Sequence, residues 1–389
     1  AFAEITFGAW LRALTAPVAS NGDDTVATMT NSWGGPARTA RLNASAVSED
    51  GNIGFNMGVY SDSSMSALTP GDEANIWAKP VDAVKLSMGK YDNNTLRGDC
   101  AYGSWNWLRP NNAWIAGDEG LLMSGNGGTG LLAEITPVDG LYIQALIPVL
   151  EAKKVDVVYK NIQAGFGYDI EGVGKIKAQF IGNATDKKEA GADSYMWAND
   201  VDKKGNPVLK ADSATAPTWT KVNGSAEEKA KFNKTLEAEF DLAAVENLWL
   251  GLGFQYNMFD QKEDGYGKQS MKIALGAKYQ ATDTVNLALS GALFTYNKID
   301  DIKVDPRFQA GAGVDAAVAD GVSVSADVRY LSAKKYDGTK EDNSDHLAFS
   351  VGVTKSVSSN GYIGAAFQAG TNGTDFAGVG VAKGKEDKL

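Results

Sequence analysis

A chain of 389 residues with 44 glycines, only 10 prolines and 10 % aromatic side chains has the length for one large β architecture or two ordinary domains. Its net charge of −11 excludes the basic face that a nucleic acid partner requires. One cysteine, Cys100, and one histidine, His346, exclude an internal disulfide and a typical zinc site, and no apolar run is long enough for a transmembrane helix.

At the start, Ala1-Phe2-Ala3 has the form of a signal-peptidase site and reads as the tail of an export signal, with strand-like sequence from Glu4 onward. From there the dominant signal is alternation with a period of two, which sends successive side chains to opposite faces of a strand. Ile5, Phe7, Ala9 and Leu11 oppose Thr6, Gly8, Trp10 and Arg12; Ile53, Phe55, Met57 and Val59 oppose Asn52, Gly54, Asn56 and Gly58. Ile162, Ala164, Phe166 and Tyr168 oppose Asn161, Gln163, Gly165 and Gly167, and Ile176, Ala178 and Phe180 oppose Lys175, Lys177 and Gln179. The second half is cleaner. Leu236, Ala238, Phe240 and Leu242 oppose Glu237, Glu239 and Asp241; Leu248, Leu250, Leu252, Phe254 and Tyr256 oppose Trp249, Gly251, Gly253 and Gln255. Strands of the same kind start at Met271, Val285, Phe308, Val322 and Leu347.

Short turns are read at Asp50-Gly51, Pro80 to Ala83, Asp139-Gly140, Glu171 to Gly174, Ala243 to Asn247, Thr282-Asp283, Asp320-Gly321 and Ser358 to Gly361. Between them lie generally longer polar connections over 15–36, 61–71, 92–127, 150–158, 185–230, 261–268, 298–305 and 334–344. Short turns alternating with long loops are the asymmetry of a transmembrane antiparallel up-and-down β-barrel, with periplasmic turns and outer loops. The count is about 18 strands, with roughly 16–18 compatible, and an even count places both chain ends on the periplasmic side. Residues 1–389 form a single domain, because alternation resumes unchanged after the large loop 185–230. A soluble β-sandwich or propeller is the alternative. The polar face argues against it, being crowded with Gly, Ala, Ser and Asn as a water-filled lumen tolerates, while aromatics such as Tyr168, Tyr256, Tyr279 and Tyr330 gather near strand ends.

The charged residues of the inward face are Arg12, Arg41, Lys79, Lys85, Lys175, Lys177, Lys272, Lys278 and Arg329, with Asp327 beside the last. Against them stand Glu237, Glu239 and Asp241, three carboxylates on one strand face. An acid/base pair is one reading of that row; a solvated lumen wall that biases ion passage is the preferred one. The loop 92–127 carries Arg97, Asp99, Trp105, Trp107, Arg109, Trp114, Asp118 and Glu119, a set that suits either a constriction or a loop packed on itself outside the barrel. No catalytic, cofactor or metal residues are assigned. Gly125, Gly127 and Gly130 fit a dinucleotide spacing, but they precede a strand instead of opening a helix. Asp200, Asp202 and Gly205 echo a calcium loop, yet Lys204 occupies a ligand position. Cys100 reads as a packed bystander.

On alternation, turn and loop asymmetry, size and acidic composition, nearly the whole chain resembles bacterial outer-membrane porins. No short motif selects a subfamily. The resemblance implies a multi-pass β-barrel in the bacterial outer membrane, with membrane lipid and small hydrophilic solutes or ions as its partners. It implies a diffusion channel for passive passage through a water-filled lumen, without cofactor or catalysis, in a homotrimer. It also implies that the long third loop folds into the barrel and narrows it. One departure concerns the end of the chain. Such barrels often close with a strand that ends in an aromatic residue, whereas this chain ends Lys383-Gly384-Lys385-Glu386-Asp387-Lys388-Leu389. Either Asp375 to Ala382 is the closing strand, or the last strand lies beyond the sequence. The alternative function is a surface adhesin or structural outer-membrane protein with a closed barrel, in which loops 92–127 and 185–230 are the working parts.

Overall fold

The computed structural model describes residues 2–11, 14–20, 25–30, 37–62, 67–91, 96–101, 122–125, 127–149, 154–189, 194–201, 207–209, 218–222, 228–342 and 344–372. Seventeen strands form one antiparallel sheet. The first nine are β1 (Phe2–Leu11), β2 (Ala37–Ser48), β3 (Ile53–Asp62), β4 (Leu68–Val81), β5 (Val84–Tyr91), β6 (Gly128–Ile135), β7 (Leu141–Ile147), β8 (Gln163–Ile170) and β9 (Gly174–Thr185). Then follow β10 (Lys231–Val245), β11 (Leu248–Met258), β12 (Gln269–Thr282), β13 (Val285–Tyr296), β14 (Arg307–Ala319), β15 (Val322–Leu331), β16 (His346–Ser358) and β17 (Gly361–Gly370). Each strand pairs with its neighbours in the chain, from β1 on β2 through to β16 on β17.

This is the all-β, up-and-down transmembrane architecture that alternation and turn spacing predict. In strict antiparallel succession β1 and β17 point the same way; the further strand read at Asp375–Ala382 lies outside the described residues. Short connections and longer ones fall at opposite ends of the sheet. Asn247 (φ 63°) and Gly321 (φ 63°) close two of the short turns in the left-handed region, where Asn and Gly are the residues least strained.

The sheet is inverted relative to a soluble one. Its apolar series point to the exposed side: Phe7 is 79 % exposed, Leu289 59 % and Val351 51 %. The alternate polar series, including Gln144, Lys177, Lys272, Asp327, Arg329 and Ser350, is buried. A face of Leu, Phe, Val and Ile turned outward along successive strands is stable against hydrocarbon and costly against water, so these strands are membrane-spanning. No described helix is long and apolar enough to cross a membrane, which leaves crossing to the strands.

Several connections depart from the sequence reading, among them the one over 15–36, where Leu14–Ser20 pairs with Thr25–Thr30. The connection read over 61–71 shrinks, because β4 extends back to pair Leu68 with Ser61. The connection read over 150–158 contains a short helix, α1 (Val155–Lys160). Asn161 fastens it to β9: its amide donates to the Val157 and Ala184 carbonyls, 2.9 Å each, and its side-chain oxygen accepts from the Ala184 amide at 2.7 Å. The large connection between β9 and β10 carries hairpins of its own, pairing Ser194–Ala198 with Thr218–Val222 and Asp200–Val201 with Pro207–Val208.

Candidate functional site

The register of β9 on β10 sets Lys175 opposite Asp241, Lys177 opposite Glu239 and Gln179 opposite Glu237, all on the inward face. Direct cross-strand neighbours of opposite charge attract, and both strands contribute alternate residues, so the three pairs form a polar ladder. On the far side of β10, Glu237 lies opposite Gln255 of β11, Glu239 opposite Gly253 and Asp241 opposite Gly251.

The sequence expectation of a solvated wall fails at this ladder. Glu237, Glu239 and Asp241 are only 2–4 % exposed. What covers them is the loop between β5 and β6, two limbs of which, residues 96–101 and 122–125, lie on the inward face. The limbs run side by side, with the Gly98 amide donating to the Met123 carbonyl at 2.8 Å and the Leu122 amide to the Asp99 carbonyl at 3.1 Å. Leu96, Leu122 and Met123 are fully buried.

Glycines on the wall make the seat. A Cβ on Gly253 would stand 2.2 Å from the Leu122 carbonyl oxygen, and one on Gly251 2.2 Å from the Leu122 side chain. On the other flank, a Cβ on Gly165 would stand 2.6 Å from Leu96. The inward glycines that suggest room for water instead admit polypeptide.

Hydrogen bonds hold the limbs down. Glu239 accepts from the Asp99 amide at 2.9 Å and from Lys177 Nζ at 3.3 Å, while Lys177 also donates to the Arg97 carbonyl at 3.0 Å. Glu237 accepts from the Ser124 hydroxyl at 2.8 Å, from the Ser124 amide at 3.2 Å and from Gln255 at 2.7 Å, as well as from Gln179. Gln179 closes the circuit by donating to the Ser124 carbonyl at 2.7 Å. Charge-assisted bonds of this kind contribute about 1.5–3 kcal/mol each when buried.

Other charged residues named from the sequence are spread around the wall. On β2–β4, Arg41 pairs with Glu73 at 3.2 Å and stacks over Tyr60, which donates to Asp72. Lys85 of β5 meets Glu134 of β6 at 3.1 Å, and Trp77 lies beneath both Lys79 and Lys85. Lys175 turns to Asp169 at 3.0 Å, and Lys278 lies over Trp249 at 4.8 Å. Lys272 is buried on β12. On β15, Arg329 and Asp327 form a buried pair at 3.3 Å. The structure thus brings Arg97, Lys177, Glu237, Glu239 and Asp241 together, and leaves Arg41, Lys79, Lys85, Lys272, Lys278, Asp327 and Arg329 at separate stations. Arg12, Trp105, Trp107, Arg109, Asp118 and Glu119 lie outside the described residues.

Sequence reasoning passed over Ser124, Glu73 and Glu134, placed Gln179 on the inward row without a role, and gave Asp99 no role of its own. Their roles depend on strand register and on which limb docks where. Cys100 packs with Ala101, Ala288 and Trp249 as a small hydrophobe, as expected for a bystander.

No protein-family model matches the sequence, and no curated protein matches it either. Among solved structures, the chain is similar to outer-membrane expressed OmpT of Vibrio cholerae, at 13 % identity and a TM-score of 0.49, covering 94 % of this chain and 97 % of that one. It is similar to an anion-selective porin from Comamonas acidovorans at 11 % identity and a TM-score of 0.47, covering 94 % and 99 %. For OprB of Pseudomonas putida the values are 12 % and 0.44, covering 95 % and 94 %. At these identities the likeness is one of strand arrangement. The solved structures that share it include outer-membrane proteins and porins.

Proposed function

We propose that this chain is an outer-membrane porin that lets small hydrophilic solutes and ions diffuse through a water-filled lumen, without catalysis. The inversion of the sheet carries the reading: membrane-facing apolar side chains surround an inward wall of charges, amides and small residues. Part of that wall is open. The inward positions Thr6 and Gly8 on β1 and Ala366 on β17 are exposed, whereas the described limbs of the long loop stay against β8–β13. Passage is then governed by the width left beside those limbs and by the charges that line it. Arg41, Lys79, Lys85, Lys278 and the half-exposed Asp99 are the wall groups proposed to set the field, together with Arg12, Arg97, Trp105, Trp107, Arg109, Asp118 and Glu119. The buried ladder, with Lys272 and the Asp327–Arg329 pair, supports them from behind.

Single-channel conductance in a planar bilayer tests this. Discrete, long-lived steps are expected, and their reversal potential in a salt gradient reads the sign of the wall. A folded, inserted chain that never conducts would sink the proposal. A second reading, surface recognition, is favoured by the hairpins built into the connection between β9 and β10. Deleting residues 190–227 separates the two, since conductance survives if that loop serves only recognition. A homotrimer is the assembly proposed for either reading, to be checked by native mass spectrometry in detergent.

A further inference from the structure

The buried ladder does not balance its charge. Glu239 has a fully buried side chain and Asp241 is 4 % exposed, and the cation against them is Lys177, itself buried. Asp99 of the docked limb adds a third carboxylate, 4.0 Å from the same Lys177 nitrogen. Lys175, the next cation along β9, is engaged with Asp169 at 3.0 Å. Glu239 and Asp241, both buried, face one buried ammonium, and the half-exposed Asp99 adds to that negative excess, in a place where unpaired buried charge is costly.

The unsatisfied atoms are on the same two side chains. Glu239 Oε2 and Asp241 Oδ1 are buried without a hydrogen-bond partner, although the other Glu239 oxygen is held by the Asp99 amide and Lys177. One carboxylate oxygen from each of Asp99, Glu239 and Asp241 lies within 4.8 Å of the other two. Two oxygens across a Ca2+ ion at about 2.4 Å each are about 4.8 Å apart, so three oxygens within that separation fit around one such ion, and Ca2+ accepts several carboxylates in flexible geometry. The donors are all oxygen, which suits a hard cation and not zinc or copper.

We propose that Asp99, Glu239 and Asp241 hold a divalent cation, best matched by Ca2+, that ties the limb of the long loop to the β10 wall. The ion offsets the excess negative charge, occupies the unpartnered oxygens and joins residues 140 positions apart in the chain. It departs from the sequence expectation of no metal site, because neither Asp99 nor the ladder has a ligand spacing that can be read locally. The cation fixes where the limb lies, and so the width of the passage beside it.

Calorimetric titration of Ca2+ into the full-length chain, folded in detergent and stripped with EDTA, tests the proposal. One saturable site per chain is expected. Asp241→Asn and Asp99→Asn each weaken binding at least tenfold, and Asp186→Asn, beyond the opposite end of β9 where the carboxylate pairs with Lys154, leaves it unchanged. Asp99→Asn changes a limb residue and no barrel strand, so it keeps the test valid if Asp241→Asn fails to fold. Absence of saturable binding by the wild-type chain, or binding indifferent to both ligand substitutions, overturns the site and assigns the excess charge to shared protons. The readout does not depend on conductance. A chain that conducts without binding Ca2+ refutes this proposal alone, and one that binds Ca2+ without conducting refutes the porin reading alone.

Discussion

Two stretches of the inward wall are written in the same alphabet and do opposite things. On β8–β13 the inward residues include glycines, amides and charges, and a polypeptide limb lies on them. On β1 and β17 the inward Thr6, Gly8 and Ala366 are exposed, and neither described limb lies on them. The difference shows at two glycines. A Cβ on Gly253 would meet the Leu122 carbonyl at 2.2 Å, while one on Gly8 would meet only the Asn43 side chain, at 3.9 Å. Small residues permit close approach; what recruits the limb is the ladder of buried donors and acceptors beside them. An inward face rich in glycine is therefore no measure of open lumen until its hydrogen-bonding partners are known.

The sharpest way to break this comparison is to remove the ladder's cation. Lys177→Ala leaves Glu239 and Asp241 buried without their ammonium, and a loss of about 3–5 kcal/mol is expected in urea unfolding of the detergent-folded protein. A loss below about 1 kcal/mol would mean that the ladder is not what holds the limbs. Next come the glycines. Gly253→Ala forces the limb off its seat and is expected to cost about 1–3 kcal/mol. Gly8→Ala is expected to stay within about 0.5 kcal/mol. Equal effects at the two positions would erase the distinction between the covered and the open wall. Ser124→Ala removes one hydroxyl bond to a Glu237 that keeps other donors, so about 1.5 kcal/mol, the low end for a bond to a charged group, is expected from the same unfolding curves.

The smallest effect lies outside the membrane, in the loops at the long-connection end. Lys303 beside Asp305 holds that carboxyl below its usual 3.8, and Asp305 in turn accepts from the Gly338 amide at 3.1 Å. A carboxyl depressed by folding contributes its stability above the ordinary value and loses it as pH falls through the lower, folded one. The protection of the Gly338 amide, taken relative to the intrinsic exchange rate at each pH, is therefore expected to fall only below pH 3.8. A fall in protection near neutral pH would remove Asp305 from the clasp.

Much of the barrel was legible because each strand declares itself locally. Leu248 to Met258 alternates without a break and is a strand from end to end; Asp320-Gly321 is a turn because Gly supplies the backbone angle. The helix at Val155–Lys160 was missed because six residues are too few to show a helical period. The site was legible only in its parts. Lys175, Lys177 and Gln179 were visible as one row and Glu237, Glu239 and Asp241 as another, but β9 and β10 are separated by the large loop, so no turn announces their register. Their burial was hidden altogether, because it depends on a limb whose docking partners lie 55 to 140 residues away.

That separation has a kinetic side. Every ladder in the sheet joins strands adjacent in the chain, so the barrel can grow hairpin by hairpin with little entropy spent on closing distant contacts. The limb is the exception: Ser124 reaches Glu237 across 113 residues and Asp99 reaches Glu239 across 140. It has no seat until β8–β13 stand together, so its docking is expected to come late. On the porin reading, the passage would be cut wide first and narrowed last, leaving an interval in assembly when the chain is already in the membrane but not yet selective.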